Sequence, residues 1–242
     1  MTATIVGRGR VGRALAAAFE AAGITVTGPT VRGESVPDGD LILVCVPDAE
    51  IARVIATLGD HPGLVGHVSG ATSLADASAD FSLHPLQTFA GSEGAEAFHG
   101  IGCAVAGRTP AALEVAEELA IRIGARPFRI DDAHRAGYHA AASVASNFLL
   151  TLLDAAEQIA ATAGLSDAEA RELLAPLVRS TVENWAAQGA PGALTGPIAR
   201  GDERTVDRQR DAIQVGAPDL LPLFDVMAES TRTLAARRGV SA

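Results

Sequence analysis

Thr2-Ala3-Thr4-Ile5-Val6-Gly7-Arg8-Gly9-Arg10-Val11-Gly12-Arg13-Ala14-Leu15-Ala16-Ala17-Ala18-Phe19 opens the chain and decides how it folds. Residues 2–6 are a short apolar run with strand character, and residues 11–22 carry the alanine-rich periodicity of a helix. Between them Gly7, Gly9 and Gly12 match G-x-G-x-x-G in the strand–turn–helix context that gives the motif its meaning. Gly7 permits a tight turn, Gly9 lets the backbone approach a pyrophosphate, and Gly12 lets helix and strand pack closely. The N–H groups of this loop, from Arg8 through Arg10 and Val11, head a helix N-terminus suited to phosphate. A glycine turn in some other α/β protein is the alternative.

Outward from this turn, apolar strands alternate with helices up to about residue 130. Strands are expected at 2–6, 24–28, 41–46, 64–68, 101–106 and 126–130, with helices at 11–22, 48–58 and 110–123. Such alternation implies a parallel sheet wrapped by helices, whose ligands bind beyond the carboxyl ends of the strands. From Asp131 the pattern changes to long helices: 133–163 behind an Asp131/Asp132 cap, then 167–188, 203–214 and 218–238. The expected organisation is an α/β nucleotide-binding domain over 1–130 and an all-α domain over 131–242.

The net charge of −10 is spread evenly, with 9 Arg against 14 acids in residues 1–130 and 10 against 15 in the remainder. Neither half is a basic nucleic-acid surface. All 19 basic residues are Arg, which excludes Schiff-base chemistry and any lysine proton donor. Cys45 and Cys103 sit in apolar strand-like runs, so buried free thiols are expected rather than a disulfide or a metal pair. Free thiols fit a reducing cytoplasm, and a first strand at residue 2 with no long uninterrupted apolar stretch argues against a signal peptide or membrane span.

On the first long helix His139, Ser143, Ser146, Asn147, Asp154 and Glu157 fall within about 100° of arc. The rest of that helix is apolar almost all round. A buried helix with one polar stripe suggests a lined cavity, and a satisfied hydrogen-bond network between helices explains it equally well. His84-Pro85-Leu86-Gln87 is placed just after a strand, so His84 and Gln87 are candidates. Ser69-Gly70-Ala71 offers a hydroxyl and backbone N–H groups, or forms a plain turn. Pro47-Asp48, with Val46 before it, follows another strand. Arg200, between glycines and a proline, is a candidate clamp for a carboxylate, or one half of an Arg200–Asp202 surface pair. For the ribose, the end of the second strand falls in Thr27-Gly28-Pro29-Thr30-Val31-Arg32, with no acid until Glu34. A cationic turn bearing Thr30 and Arg32, helped by Arg8 or Arg10, fits the extra phosphate of NADP better than the ribose hydroxyls of NAD.

Six segments in order carry a resemblance: GRGRVGRALA at 7–16, VPD at 46–48, VSGA at 68–71, SLHPLQTF at 82–89, YHAAASVASN at 138–147 and LTGPIARGD at 194–202. Over the whole chain the sequence resembles a family of Rossmann-like oxidoreductases with a C-terminal helical domain of once-unknown function, some of whose members are alternative ketopantoate reductases. More distantly it is similar to the prephenate dehydrogenase, pyrroline-carboxylate reductase and β-hydroxyacid dehydrogenase group. The resemblance implies NADPH-dependent reduction of a small 2-oxo acid in an interdomain cleft, with 2-dehydropantoate, a precursor in pantothenate biosynthesis, as the leading substrate. It also implies a homodimer joined through the helical domain. The group's usual lysine donor is missing here, so the role falls to His139, with Ser143 or His84 next and Asn147 orienting the site. Ser69, Gly70, Gln87 and Arg200 are the expected substrate contacts, and no metal is expected. The rivals are a prephenate-like dehydrogenase or imine reductase, and an NADP-binding sensor or scaffold without chemistry.

Overall fold

Thr2–Val6 forms strand β1, as its apolar run dictates, and three of its five side chains are fully buried. The computed structural model describes residues 1–237. Helix α1 (Arg10–Ala21) follows, then β2 (Thr25–Thr30), β3 (Leu41–Val44), α2 (Asp48–Leu58) and β4 (Leu64–His67). A single-turn helix α3 (Leu74–Ala77) leads to β5 (Phe81–Pro85), β6 (Gly102–Gly107), α4 (Pro110–Arg122) and β7 (Arg126–Arg129).

These strands make one seven-stranded sheet in the order β2-β1-β3-β4-β5-β6-β7. The chain reverses direction of travel between β1 and β3, which creates the crevice where open α/β sheets take ligands. Helices cover both faces. In β3, Leu41 and Leu43 enter one core with Phe19, Phe81 and Leu119, while Ile42 and Val44 enter a second with Ile51 and Leu74. This period-two division explains why β3 reads as an unbroken apolar run.

Three expectations for this sheet need correction. β2 extends to Thr30 rather than ending at residue 28; it is an edge strand bonded only to β1, where a proline is tolerated. β5 has no counterpart among the strand bounds expected above, and His84, expected just after a strand, lies within it. Its Ser82 and His84 share a face and are polar, which hides the alternation of Phe81, Leu83 and Pro85. Finally, β6 runs antiparallel to β5, so the sheet is mostly but not wholly parallel.

The described residues divide into two compact units, the first ending at Ser146 and the second starting at Asn147. The helical pattern that starts at Asp131 therefore begins inside the first unit, with α5 (Arg135–Ser143). A π-helical stretch, Val144–Phe148, interrupts the single helix expected over 133–163 before α6 (Leu149–Ala161). Nor is this helix enclosed by the chain: Val144, Phe148 and Leu150 are all more than half exposed. The second unit continues with α7 (Asp167–Ala193), α8 (Glu203–Gly216) and α9 (Leu221–Arg237). A capping box of Ser166 and Glu169 starts α7. Just past residue 188, where a helix end is expected, Gly189 appears as one non-helical residue, φ 72°, inside α7. The expected end of the last helix at residue 238 lies outside the described residues. No described helix is long and apolar enough to cross a membrane.

Candidate active site

The glycine turn after β1 shows why each glycine is needed. Gly7 has φ 115°, and a Cβ there would collide with the carbonyl of Cys45. At Gly12 a Cβ would collide with the carbonyl of Gly7. A Cβ on Gly9 would meet nothing within 4 Å, so open space faces the backbone where a phosphate would approach. Gly9 is also the N-cap of α1, with no side-chain cap and no acid in the first turn, leaving the helix N-terminus free for an anion.

Beside this turn lies a cavity of about 600 Å³ lined by Gly7, Arg8, Gly9, Thr30, Arg32, Val46 and Pro47, all expected from the sequence. Arg10, Val11, Gly12 and Asp48 are not in its lining. Arg10 lies against Gly91, Val11 packs on the core, and Asp48 begins α2. Glu34, Glu50 and Arg53 line it as well. Glu34 turns back to accept the Val31 N–H at 2.8 Å, so its carboxylate is engaged by the turn itself. Glu50 is bonded by Arg53 and, at 3.0 Å, by Arg32. The Arg53 hydrogen bond holds the Glu50 carboxyl below its ordinary range, and the charges of Arg53 and Arg32 add to this. Arg8 donates to the Pro29 carbonyl at 3.0 Å. Three guanidinium groups thus surround a cavity that opens beyond the ends of β1, β2 and β3.

A second cluster forms at the carboxyl end of β5. Nδ1 of His84 stands 2.6 Å from the hydroxyl of Tyr138, and the His84 ring lies 6.2 Å, centroid to centroid, from that of His139. Gly70 packs on the imidazole: a Cβ there would fall 2.8 Å from Cε1, so the expected role of Gly70 in the site becomes one of admitting this ring. Ser69 accepts from the N–H groups of Ala71 and Thr72 at 3.1 and 2.9 Å, and its carbonyl accepts from Arg135. Both bonds use its hydroxyl as an acceptor, and the O–H remains able to donate.

Arg135, 1% exposed, organises the cluster from within. It donates to Asp132 at 2.7 Å and to the hydroxyl of Ser82. Asp132 does not cap its own helix, as the sequence suggested; it accepts the Leu74 and Ala75 N–H groups and so caps α3. Although partial burial opposes its charge, these bonds and Arg135 hold its carboxyl below the usual range. Burial, then the positive fields of His139 and Arg135, push His84 down to about 4, against a smaller opposing effect of Asp48. His67, fully buried, is pushed down to about 4 by burial and by Arg135, and its Nε2 has no hydrogen-bond partner. Burial pushes the Tyr138 phenol up to about 12. The sequence had not singled out Arg135, Tyr138 or His67. Cys45 and Cys103 are buried free thiols, as expected, each pushed up to about 12 by burial.

Gln87 is exposed and folds onto its own loop, accepting from Thr88 N–H at 2.8 Å. Ser143 is half-buried on α5. In the second unit Asn147 is exposed, and its carbonyl accepts from Thr151. Further along the stripe, Asp154 accepts from Gln158 within α6 and Glu157 accepts from Arg171 of α7, so that part is a satisfied network within and between these two helices. Arg200 is exposed on a 3-10 turn; no ion pair with Asp202 forms, although its charge helps lower that carboxyl. Among the described residues no group of three or more His, Cys, Asp or Glu could hold a metal ion.

A glycine turn at the switch point of a mostly parallel sheet, with helices on both faces, defines a Rossmann-like α/β protein. The chain belongs to the family described as Domain of unknown function (DUF2520), whose model matches residues 101–231. No curated protein shows significant sequence similarity to it. Among solved structures it is similar to a protein from Thermotoga maritima, with TM-score 0.79, 23% identity and coverage of 98% of this chain and 99% of that one. A Bacteroides fragilis protein provisionally described as an NADP oxidoreductase matches with TM-score 0.79 and 18% identity over 96% and 98% of the two chains. A reductive aminase from Aspergillus terreus, solved with NADPH and ethyl levulinate, matches with TM-score 0.61 and 18% identity over 100% and 99%.

Proposed function

We propose that the chain is an NADPH-dependent oxidoreductase that reduces a small 2-oxo acid, with 2-dehydropantoate, giving pantoate, as the leading substrate. The observation that carries the cofactor reading is the three-glycine turn opening on a cavity bordered by Arg8, Arg32 and Arg53. A ribose diol is matched by a free carboxylate at the end of the second strand, and a ribose phosphate by guanidinium groups. Here the nearby acids are already engaged, Glu34 by backbone and Glu50 by two arginines. Likeness in fold to proteins described with NADP or NADPH supports the same choice.

When bound, the cofactor would supply a hydride equivalent to the carbonyl carbon. The chain's own contribution is at the oxygen. His84, neutral across the physiological range, polarises the carbonyl through a hydrogen bond, as a neutral imidazole can. His139, whose ring makes no hydrogen bond among the described residues, delivers the proton to the developing alkoxide. Exposed Phe148 at the end of the π-helical stretch, Leu150 on α6, and Leu173, Leu177 and Trp185 on α7 support a homodimer through the second unit, which light scattering would test.

The deciding experiment mixes the purified protein with NADPH and, separately, 2-dehydropantoate, other 2-oxo acids, cyclic imines or a prephenate-like acid with NADP, and follows the nicotinamide absorbance. Consumption of NADPH with 2-oxo acids is expected. Turnover confined to imines or to the prephenate-like acid would replace the substrate reading, and binding without turnover of any of them would leave a nucleotide sensor.

A further inference from the structure

Tyr138 lies in the first turn of α5 with its ring held between two others, edge-on to His84 at 5.5 Å and to Phe128 at 5.7 Å. Its hydroxyl reaches Nδ1 of His84 at 2.6 Å and has no other hydrogen-bond partner among the described residues. Gly70 lies against the face of the same imidazole, so the ring is fixed in plane as well as in place. Nε2 of His84 carries no hydrogen bond and, unlike Nε2 of His61 and His67, is not closed off from solvent.

Among the described residues Nδ1 of His84 is the one acceptor that the Tyr138 hydroxyl reaches. We infer that Tyr138 is a positioning residue: its hydroxyl donates to Nδ1 of His84, which fixes the single imidazole proton on Nε2 and presents it outward as a hydrogen-bond donor. The reverse arrangement, Nδ1–H donating to the phenol oxygen, leaves the phenol proton without a partner among the described residues and presents a lone pair on Nε2. The groups facing His84 favour a neutral ring. His139 and Arg135 from α5 bring positive charge, and Asp48 from α2 opposes them more weakly. Tyr138 itself stays a neutral donor, because its phenol is held above its ordinary range by burial.

A donor at Nε2 matches a substrate that arrives as an acceptor, a carbonyl oxygen, and mismatches one that arrives as a hydroxyl donor. This part deepens the reductase reading and rests on it, whereas the tautomer does not. Nitrogen-15 NMR of protein labelled in its six histidines reads the tautomer without any substrate. The His84 signals are identified by their loss in His84→Gln. Wild-type His84 is expected to be protonated on Nε2 at neutral pH and to stay neutral as pH falls to about 4. Tyr138→Phe keeps the ring contacts and is expected to release Nδ1, giving a mixture of tautomers and a kcat on a carbonyl substrate lowered roughly 10- to 100-fold, with nicotinamide affinity unchanged. A wild-type ring protonated on Nδ1, or a tautomer that Tyr138→Phe does not disturb, would overturn the inference. The expected tautomer shift in a protein that reduces no carbonyl compound would instead retain Tyr138 as the positioning group and refute the reductase reading. The wild-type spectrum alone decides the tautomer if the variant fails to fold.

Discussion

Gly9 and Gly12 stand three residues apart and respond differently to a single methyl group. The Gly12 Cβ would press on the carbonyl of Gly7, which is backbone and has nowhere to go, so Gly12→Ala should destabilise the fold by about 2 kcal/mol or more. Gly9 has φ −72° and free space beyond it, so Gly9→Ala should leave thermal stability nearly unchanged while weakening NADPH binding at least about tenfold. Equal effects on stability would contradict the assignment of roles. His67 and His84 supply a pH test. Both are neutral in the folded protein down to about pH 4, whereas unfolded imidazoles protonate near 6.5, so the unfolded state binds more protons between those values. Their contribution is complete above about 6.5 and lost as pH falls toward 4, roughly 1 kcal/mol per pH unit for each ring. Urea unfolding from pH 7 to 5 should show this decline, and His67→Gln should reduce its slope; a flat profile would refute it. At this scale the glycine spacing was legible because backbone geometry dictates it. Arg135 was not: an Arg three residues after Asp132 reads as a surface pair until β5 is known to bring Ser82 onto it.

Among the elements, the strands with apolar runs and the helices at 48–58 and 110–123 were readable because period and capping agree. β5 was not, because its inner polar side chains are matched only by tertiary partners, Ser82 by Arg135 and His84 by Tyr138. The same logic explains the long helix after Asp131. Its apolar circumference implied burial within the chain, yet much of it is exposed in the single chain. The link between α3 and α5 gives an element-level test. Asp132 supplies the acceptors for the first N–H groups of α3 from 58 residues away and also balances the buried Arg135, so Asp132→Ala should cost about 3–5 kcal/mol. Hydrogen exchange should show loss of protection at Leu74 and Ala75 in this variant, and unchanged protection there would mean that α3 is capped by other means.

For the whole molecule, membership of the DUF2520 family and likeness to known structures give the fold, and the chain's own arginines give the argument for its cofactor. The sequence showed Arg8 and Arg32 but not Arg53 or Glu50, which reach the same cavity from α2 and are far from the glycine turn along the chain. Glu50 ties Arg32 and Arg53 together, and a ribose phosphate would take over those two guanidinium groups. The direct test is calorimetric titration of the wild-type protein with NADPH and with NADH, repeated on Arg32→Gln/Arg53→Gln. NADPH should bind at least roughly tenfold more tightly than NADH, with the difference largely abolished in the double variant. NADH bound as tightly as NADPH by the wild type would contradict the assignment of this cavity.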